Sequence, residues 1–198
     1  MPPAPTLAGT LVTLRQLEAA DAPALLAAAA DGELWNLRWT VVPSAASVDS
    51  YIALALRSQQ QSGTLPFAVT LSAGGQVIGS TRLWNIEPEH RKLEIGHTWY
   101  ARSWQRTAAN TECKALLLRH AFEQLHCVRV QLTTDVLNQA SRAAILRLGA
   151  VEEGIIRNER IMPDGRRRSS VRYSIIDEEW PAVRLLLQQR LARLLAAG

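Results

Sequence analysis

Residues 92–125, KLEIGHTWYARSWQRTAANTECKALLLRHAFEQL, change hydrophobic period part-way along, and that change dictates a local architecture. From Lys92 to Tyr100 the period is two. Leu93, Ile95, His97 and Trp99 fall on one side of an extended segment, and Glu94, Gly96, Thr98 and Tyr100 on the other. From Glu112 onward, Cys113, Leu116, Leu117, Ala121, Phe122 and Leu125 recur at helical spacing. Between them lies Trp104 to Thr111, small and polar, predicted to enter the helix with Asn110 or Thr111 as N-cap. Such a loop exposes backbone N–H groups and the positive end of a helix dipole, where a phosphate or pyrophosphate can sit. On spacing alone, an ordinary strand-to-helix turn is the commoner outcome.

The same reading extends along the chain. Residues 10–17 read as a strand and residues 21–30 as a helix with Pro23 in its first turn. A loop over 32–43 holds Trp35 and Trp39, and a helix runs from Ser47 to near Gly63. Strands over 65–72 and 76–84 flank the hairpin signal Ala73-Gly74-Gly75. After the long helix come a strand over 127–134 and a helix over 138–148 closed by Gly149. Strands over 150–162 and 169–176 surround Pro163-Asp164-Gly165, and a last helix follows Asp177. The pattern predicts one α+β domain over residues 1–198, with a core over about 8–178 and a C-terminal helix over about 178–197.

Composition enters mainly by exclusion. No apolar run approaches the roughly 18 residues of a membrane helix, and MPPAPTLAG lacks the charged and apolar regions of a secretory signal. Cys113 and Cys127 stand at no metal-ligand spacing and fall in core-facing segments, so no metal is expected and a reducing cytoplasm is the natural setting. The 22 Lys and Arg against 18 acids concentrate only at Arg166-Arg167-Arg168, which reads as a basic turn. A nucleic-acid reader would carry a basic stripe with aromatics or a recognisable motif, and neither is present.

Several short motifs, in order, resemble the GCN5-related N-acetyltransferases. Leu93-Glu94-Ile95-Gly96 is similar to the E-I-G of the branch containing the ribosomal-protein alanine acetyltransferases (RimJ/RimL type). Trp104-Gln105 through Asn110-Thr111-Glu112 takes the place of that branch's pyrophosphate loop. Asn138-Gln139-Ala140-Ser141, Leu148-Gly149-Ala150 and Glu153-Gly154 resemble its N-x-x-S, L-G-F and E-G. Arg157, Asp164-Gly165 and Val171-Arg172-Tyr173-Ser174 resemble its closing hairpin. The resemblance implies a single mixed, mostly antiparallel sheet flanked by helices, with a V-shaped splay between the fourth and fifth strands.

It also implies acetyl-CoA as co-substrate, with Thr98, Trp99 and Tyr100 along the pantetheine arm. Gln105, Arg106, Thr107, Ala108, Ala109, Asn110 and Thr111 take the pyrophosphate. Ala108 replaces a family glycine, a strain if that position needs positive φ. Asn138 bonds the pantetheine amide or caps its helix. Amine acetylation needs a base, an oxyanion stabiliser and a partner for the departing thiolate. The resemblance places Glu94 near the acceptor as base; a backbone N–H near Thr98 or Trp99 is the candidate oxyanion donor, and Ser141 the candidate hydrogen-bond partner of the departing sulfur. The wider family's tyrosine position holds Ile145, which cannot donate. His97 is an alternative base whose parity opposes that of Glu94.

Trp35, Trp39 and Trp84 are candidate acceptor walls, and Glu159 and Asp164 candidates for orienting a cationic acceptor. The favoured reading is acetyl transfer to a protein or peptide N-terminus, such as that of a ribosomal protein. Small-molecule amine acetylation (aminoglycoside or polyamine) is the enzymatic alternative. An acyl-CoA-binding regulator and a ribosome-associated basic module are the non-enzymatic ones. The leucine stripe of the last helix, beside Arg190 and Arg193, offers a seam for a homodimer.

Overall fold

A computed structural model describes residues 3–61 and 63–196. Eight strands form one sheet: β1 (Leu7–Ala8), β2 (Val12–Gln16), β3 (Leu65–Leu71), β4 (Val77–Glu87), β5 (Lys92–Tyr100), β6 (Arg129–Asp135), β7 (Val151–Ile161) and β8 (Arg167–Ile176). The helices are α1 (Ala22–Ala30), α2 (Val48–Gln61), α3 (Ala108–Arg119), α4 (Gln139–Leu146) and α5 (Trp180–Ala196). The strand order is β1-β2-β3-β4-β5-β6-β8-β7. Among the described residues β5 and β6 form the one parallel pair, because α3 crosses over between them.

That parallel ladder is short. It runs from Lys92–Arg129 to Ile95–Leu132 and stops, so the last five residues of β5 diverge from β6. The splay falls between the fourth and fifth long strands, where the resemblance put it. Beyond the ladder, the Asn138 side chain accepts from Ser141 N at 3.0 Å to start α4, and Gly149 follows its end with φ 93°.

Two apolar clusters sandwich the sheet. Leu93, Ile95 and Tyr100 pack with Cys113, Leu117, Leu118 and Ile145 on the α3–α5 face. Trp99 packs with Leu25, Ala29, Tyr51, Ile52 and Ala68 on the α1–α2 face. Strict alternation put Trp99 with Leu93 and Tyr100 with Glu94; the structure reverses both. A β-bulge is the cause. Register slips between Ser80 and Arg82 of β4, opposite His97, whose φ is 52°. The extra residue turns the remainder of β5 over.

Other boundaries moved for local reasons. α3 begins at Ala108, four residues before the visible period, with Thr107 rather than Asn110 or Thr111 as cap. Its end relaxes into a π turn over His120–Gln124. The three-arginine run is only partly a turn: Arg167 opens β8, and Arg168 is 8% exposed. α5 lies on α3, with Trp180 stacked on Phe122 and Leu187 buried.

Candidate active site

Glu94 occupies the third rung of the parallel ladder, opposite Gln131, and faces Trp84 across β4. It is 4% exposed. Its Oε2 accepts from Gln131 Nε2 at 2.8 Å and, more distantly, from Asn85 Nδ2 at 3.4 Å. Burial pushes its pKa above the ordinary carboxylate value, partly opposed by hydrogen bonds from Thr133 and Gln131 and by the charge of Arg160. The result is a carboxylate held in place but destabilised in its charged form, the condition of a general base.

The bulge brings His97 to the same face, contrary to the parity reading. Its ring stands edge-on to Trp84, with centroids 5.1 Å apart. Gly96 permits this crowding, since a Cβ there would lie 2.6 Å from Trp84 Nε1. Burial first, then Arg82, Arg160 and Arg168, push His97 down to about 3. It is neutral at physiological pH and a weak base. Glu94 is the stronger candidate.

The opposite side of β5 holds an unforeseen lysine. Thr98 turns toward α3, where Lys114 Nζ donates to its Oγ1 at 2.7 Å; that oxygen also lies 2.7 Å from Thr81 Oγ1. Lys114 is 6% exposed and has no carboxylate partner among the described residues, and burial pushes it down to about 8. Tyr100 is raised by burial and by the neighbouring Cys113 thiol.

After β5 the chain makes a 3₁₀ turn, Arg102–Trp104, and then Arg106 adopts φ 63°. Thr107 Oγ1 accepts from Ala109 N at 3.2 Å and donates to Trp104 O at 2.9 Å. The N–H groups of Arg106, Thr107 and Ala108 have no acceptor among the described residues. Ala108 sits in the first helical turn, so the residue in the left-handed region is Arg106 and the substituted glycine costs nothing there. Unpaired N–H groups at the start of a twelve-residue helix, beside the mouth of the splay, suit a pyrophosphate.

α4 borders the other side of the splay. Ser141 Oγ, half-buried, has no hydrogen-bond partner among the described residues, while Ile145 is buried in the core. The 35–39 loop meets the last hairpin: Arg166 Nη2 donates to Arg38 O at 3.1 Å, and Arg168 Nη1 to Trp39 O at 3.4 Å. Trp84 is at the site. Trp35 is exposed and meets it through no hydrogen bond or ring contact, and Trp39 does so through its carbonyl. Glu159 approaches Arg172 at 3.9 Å, whereas Asp164 Oδ1 accepts only from Arg166 N of its own turn.

The acetyltransferase (GNAT) domain family matches residues 12–151. The chain belongs to this family. Similar to this GNAT enzyme over 172 residues, at 28% identity, is "Putative ribosomal N-acetyltransferase YdaF" of Bacillus subtilis strain 168, with 85% of this chain and 93% of the relative covered. A GCN5-related N-acetyltransferase from Brucella melitensis is 30% identical, with a TM-score of 0.85 over 96% of this chain and 86% of its own. RimJ of Mycobacterium smegmatis, solved with CoA-disulfide, is 24% identical; its TM-score of 0.77, over 96% of this chain and 93% of its own, speaks for the fold. As in GNAT enzymes generally, the donor is acetyl-CoA and the fold is an open mixed sheet. Among the described residues no helix is long and apolar enough to cross a membrane.

Sequence reasoning missed Arg82, Gln131, Arg160 and Lys114. Gln131 and Thr133 share the parity of Arg129 in CVRVQLTT, opposite Val130 and Leu132. That polar stripe was a readable sign that one face of β6 lines something wet.

Proposed function

We propose that this GNAT acetyltransferase acetylates the α-amine of a protein or peptide N-terminus by direct attack in a ternary complex. The observation that carries this reading is the position of Glu94. It is a buried, destabilised carboxylate, one rung before the two central strands part. Acetyl-CoA supplies the thioester carbonyl. The N–H groups of Arg106, Thr107 and Ala108 hold its phosphates, Asn138 borders the pantetheine arm, and Thr98 to Tyr100 line the strand edge it follows. Glu94 takes the amine proton, directly or through one water. Backbone N–H groups at the bulge near Thr98 and Trp99 face the developing oxyanion. Ser141 Oγ, unengaged, is available to the departing sulfur.

An α-amine, with pKa near 8, suits one moderately raised carboxylate better than a lysine amine near 10.4. Similarity to the B. subtilis protein described as a ribosomal N-acetyltransferase supports a protein acceptor. Arg82, Arg160 and Arg168 beside the site oppose polycationic acceptors such as polyamines or aminoglycosides. The cytoplasmic setting and a homodimer through α5 belong to the same reading.

The test begins with calorimetric titration of acetyl-CoA into wild type and an Asn138→Ala/Ser141→Ala variant, followed by an amine panel. Micromolar binding weakened in the variant, with turnover on N-terminal peptides and loss in Glu94→Gln, is expected. No binding to wild type, or full activity in Glu94→Gln, would overturn it.

A further inference from the structure

We infer that the acceptor carries an anionic group of the carboxylate class close to its reacting amine, and that Arg82, Arg160 and Arg168 receive it. The inference rests on the proposed acetyl transfer and specifies its substrate. Arg82 pairs with Gly96 across the sheet, two residues from Trp84, whose partner is Glu94. Its guanidinium lies 5.1 Å from the Tyr51 ring centroid, and that of Arg160 lies 5.1 Å from the ring of Trp84. Arg160 pairs with Arg168 across β7 and β8, Trp84 touches both Arg160 and His97, and Arg82 pairs with Gly96 beside His97, so the three arginines border one region.

The charges there are unevenly matched. No carboxylate of the described residues lies within 4.0 Å of Arg82, Arg160 or Arg168. Arg82, only 5% exposed, forms no hydrogen bond with a described residue, and its Nε is buried without an acceptor. Arg168 donates only to neutral oxygens, those of Ser170 and Trp39. Of the nearby acids, Asp135 pairs with Arg166, and Glu94 accepts from Gln131 and Asn85. Glu159, 3.9 Å from Arg172, and Asp135 favour the charge of Arg168 from beyond contact distance. The guanidinium without acidic compensation is that of Arg82. The indole N–H of Trp84 is also buried without an acceptor.

A buried guanidinium without a counter-charge is costly, and planar donors of this kind match a carboxylate. An acceptor bearing only an ammonium would meet a positive wall. One bearing an anion can set it against the arginines and direct its amine to Glu94, whose charged form Arg160 favours against the effect of burial. The anion is either an acidic side chain in the first residues of a peptide or the α-carboxylate of a free amino acid.

Matched acceptors test this: kcat/KM on Ala-Asp against Ala-Asn peptides, and on L-alanine against L-alaninamide. The expected result is a preference of about tenfold or more for the anionic member of one pair, which identifies the source. The preference should shrink as salt rises and collapse in both Arg82→Met and Arg160→Gln. Neutral members equal to or better than anionic ones in both pairs would overturn the inference. Arg82→Met removes an unpartnered buried charge and should melt no lower than wild type; Arg160→Gln, on a half-buried side chain, is the second variant. Should no amine be acetylated, calorimetry with N-acetyl-Ala-Asp and N-acetyl-Ala-Asn decides separately. Arg82-dependent selectivity for the acidic compound would uphold anion recognition while the proposed reaction falls, and equal or absent binding would overturn the anion site.

Discussion

Glu94 accepts a hydrogen bond from Gln131 Nε2 at 2.8 Å across the parallel ladder, one rung before β5 and β6 separate. The pair joins the two strands whose divergence opens the cleft, so the base is anchored at the vertex. Glu94→Gln should lower kcat/KM by about 10²–10⁴-fold with little change in melting temperature. Because burial raises the Glu94 pKa, wild-type activity should fall as pH drops through a value above the ordinary 4.5 of a glutamate. The residual rate of the variant should lack that limb in a pH profile.

His97 gives the opposite expectation. Pushed down to about 3, it remains neutral throughout the range in which such an enzyme is assayed. Its φ of 52° is one that asparagine tolerates, so His97→Asn should keep the bulge. The acid limb should persist in that variant. A limb lost with His97 and kept without Glu94 would reassign the base.

The bulge also marks how far sequence reasoning reached. Periodicity and turn signals located the seven longer strands and all five helices: β7, whose Val151, Ile155 and Ile161 are exposed, through the turn at Pro163-Asp164-Gly165, and most of the others because they bury an apolar face. Leu93, Ile95 and Glu94 were placed correctly for that reason. Trp99, Tyr100 and His97 were not, since one inserted residue reverses a period of two without altering composition. The two-residue β1 is too short to show a period. The cap at Thr107 was hidden because Ala108 and Ala109 carry no polarity that separates helix from loop. Arg82 and Lys114 are concealed differently: an isolated charge within an apolar element usually points to solvent, and only the packed fold shows that these do not.

Gly79 holds β4 against the end of β5. Its φ lies outside the left-handed region, so steric room rather than backbone freedom is at stake. A Cβ at this position would fall on the carbonyl oxygen of Trp99, well inside van der Waals contact. Gly79→Ala should therefore destabilise by about 1–3 kcal/mol, read as a lower urea midpoint. Gly74→Ala, in open space but at φ 82°, should cost no more than about 1 kcal/mol.

Arg106 combines left-handed backbone with a charge beside three unpaired N–H groups. Arg106→Gly relieves the backbone, so stability should remain within about 1 kcal/mol of wild type. Acetyl-CoA should bind more weakly, with a deficit that narrows as salt screens the lost charge. Thr107→Ala should instead cost about 1 kcal/mol of stability through the lost cap of α3. Calorimetry and thermal denaturation on the two variants separate charge from scaffold.

Lys114 makes the folded chain sensitive to alkali in an unusual direction. Burial holds it at about 8, against 10.5 for the free side chain, so between these values the unfolded state binds the additional proton. A depressed lysine of this kind makes folding less favourable at neutral pH, and that penalty disappears as pH rises toward 10.5. The shift corresponds to about 3 kcal/mol. Cys127 and Tyr100, both raised by burial, titrate in the opposite sense but are common to wild type and a Lys114→Met variant. The Cys113 thiol, which is coupled to Lys114, is removed by comparing both chains in a Cys113→Ala background. The difference in unfolding free energy between the two chains therefore isolates the lysine. Lys114→Met should be the more stable at pH 7, by less than the full amount because the bond to Thr98 Oγ1 is lost with the charge. Its advantage should shrink as pH rises through 8 to 10.5 and end at zero or in favour of wild type. A difference that does not change with pH would mean that Lys114 is solvated in the folded protein and keeps its ordinary proton affinity.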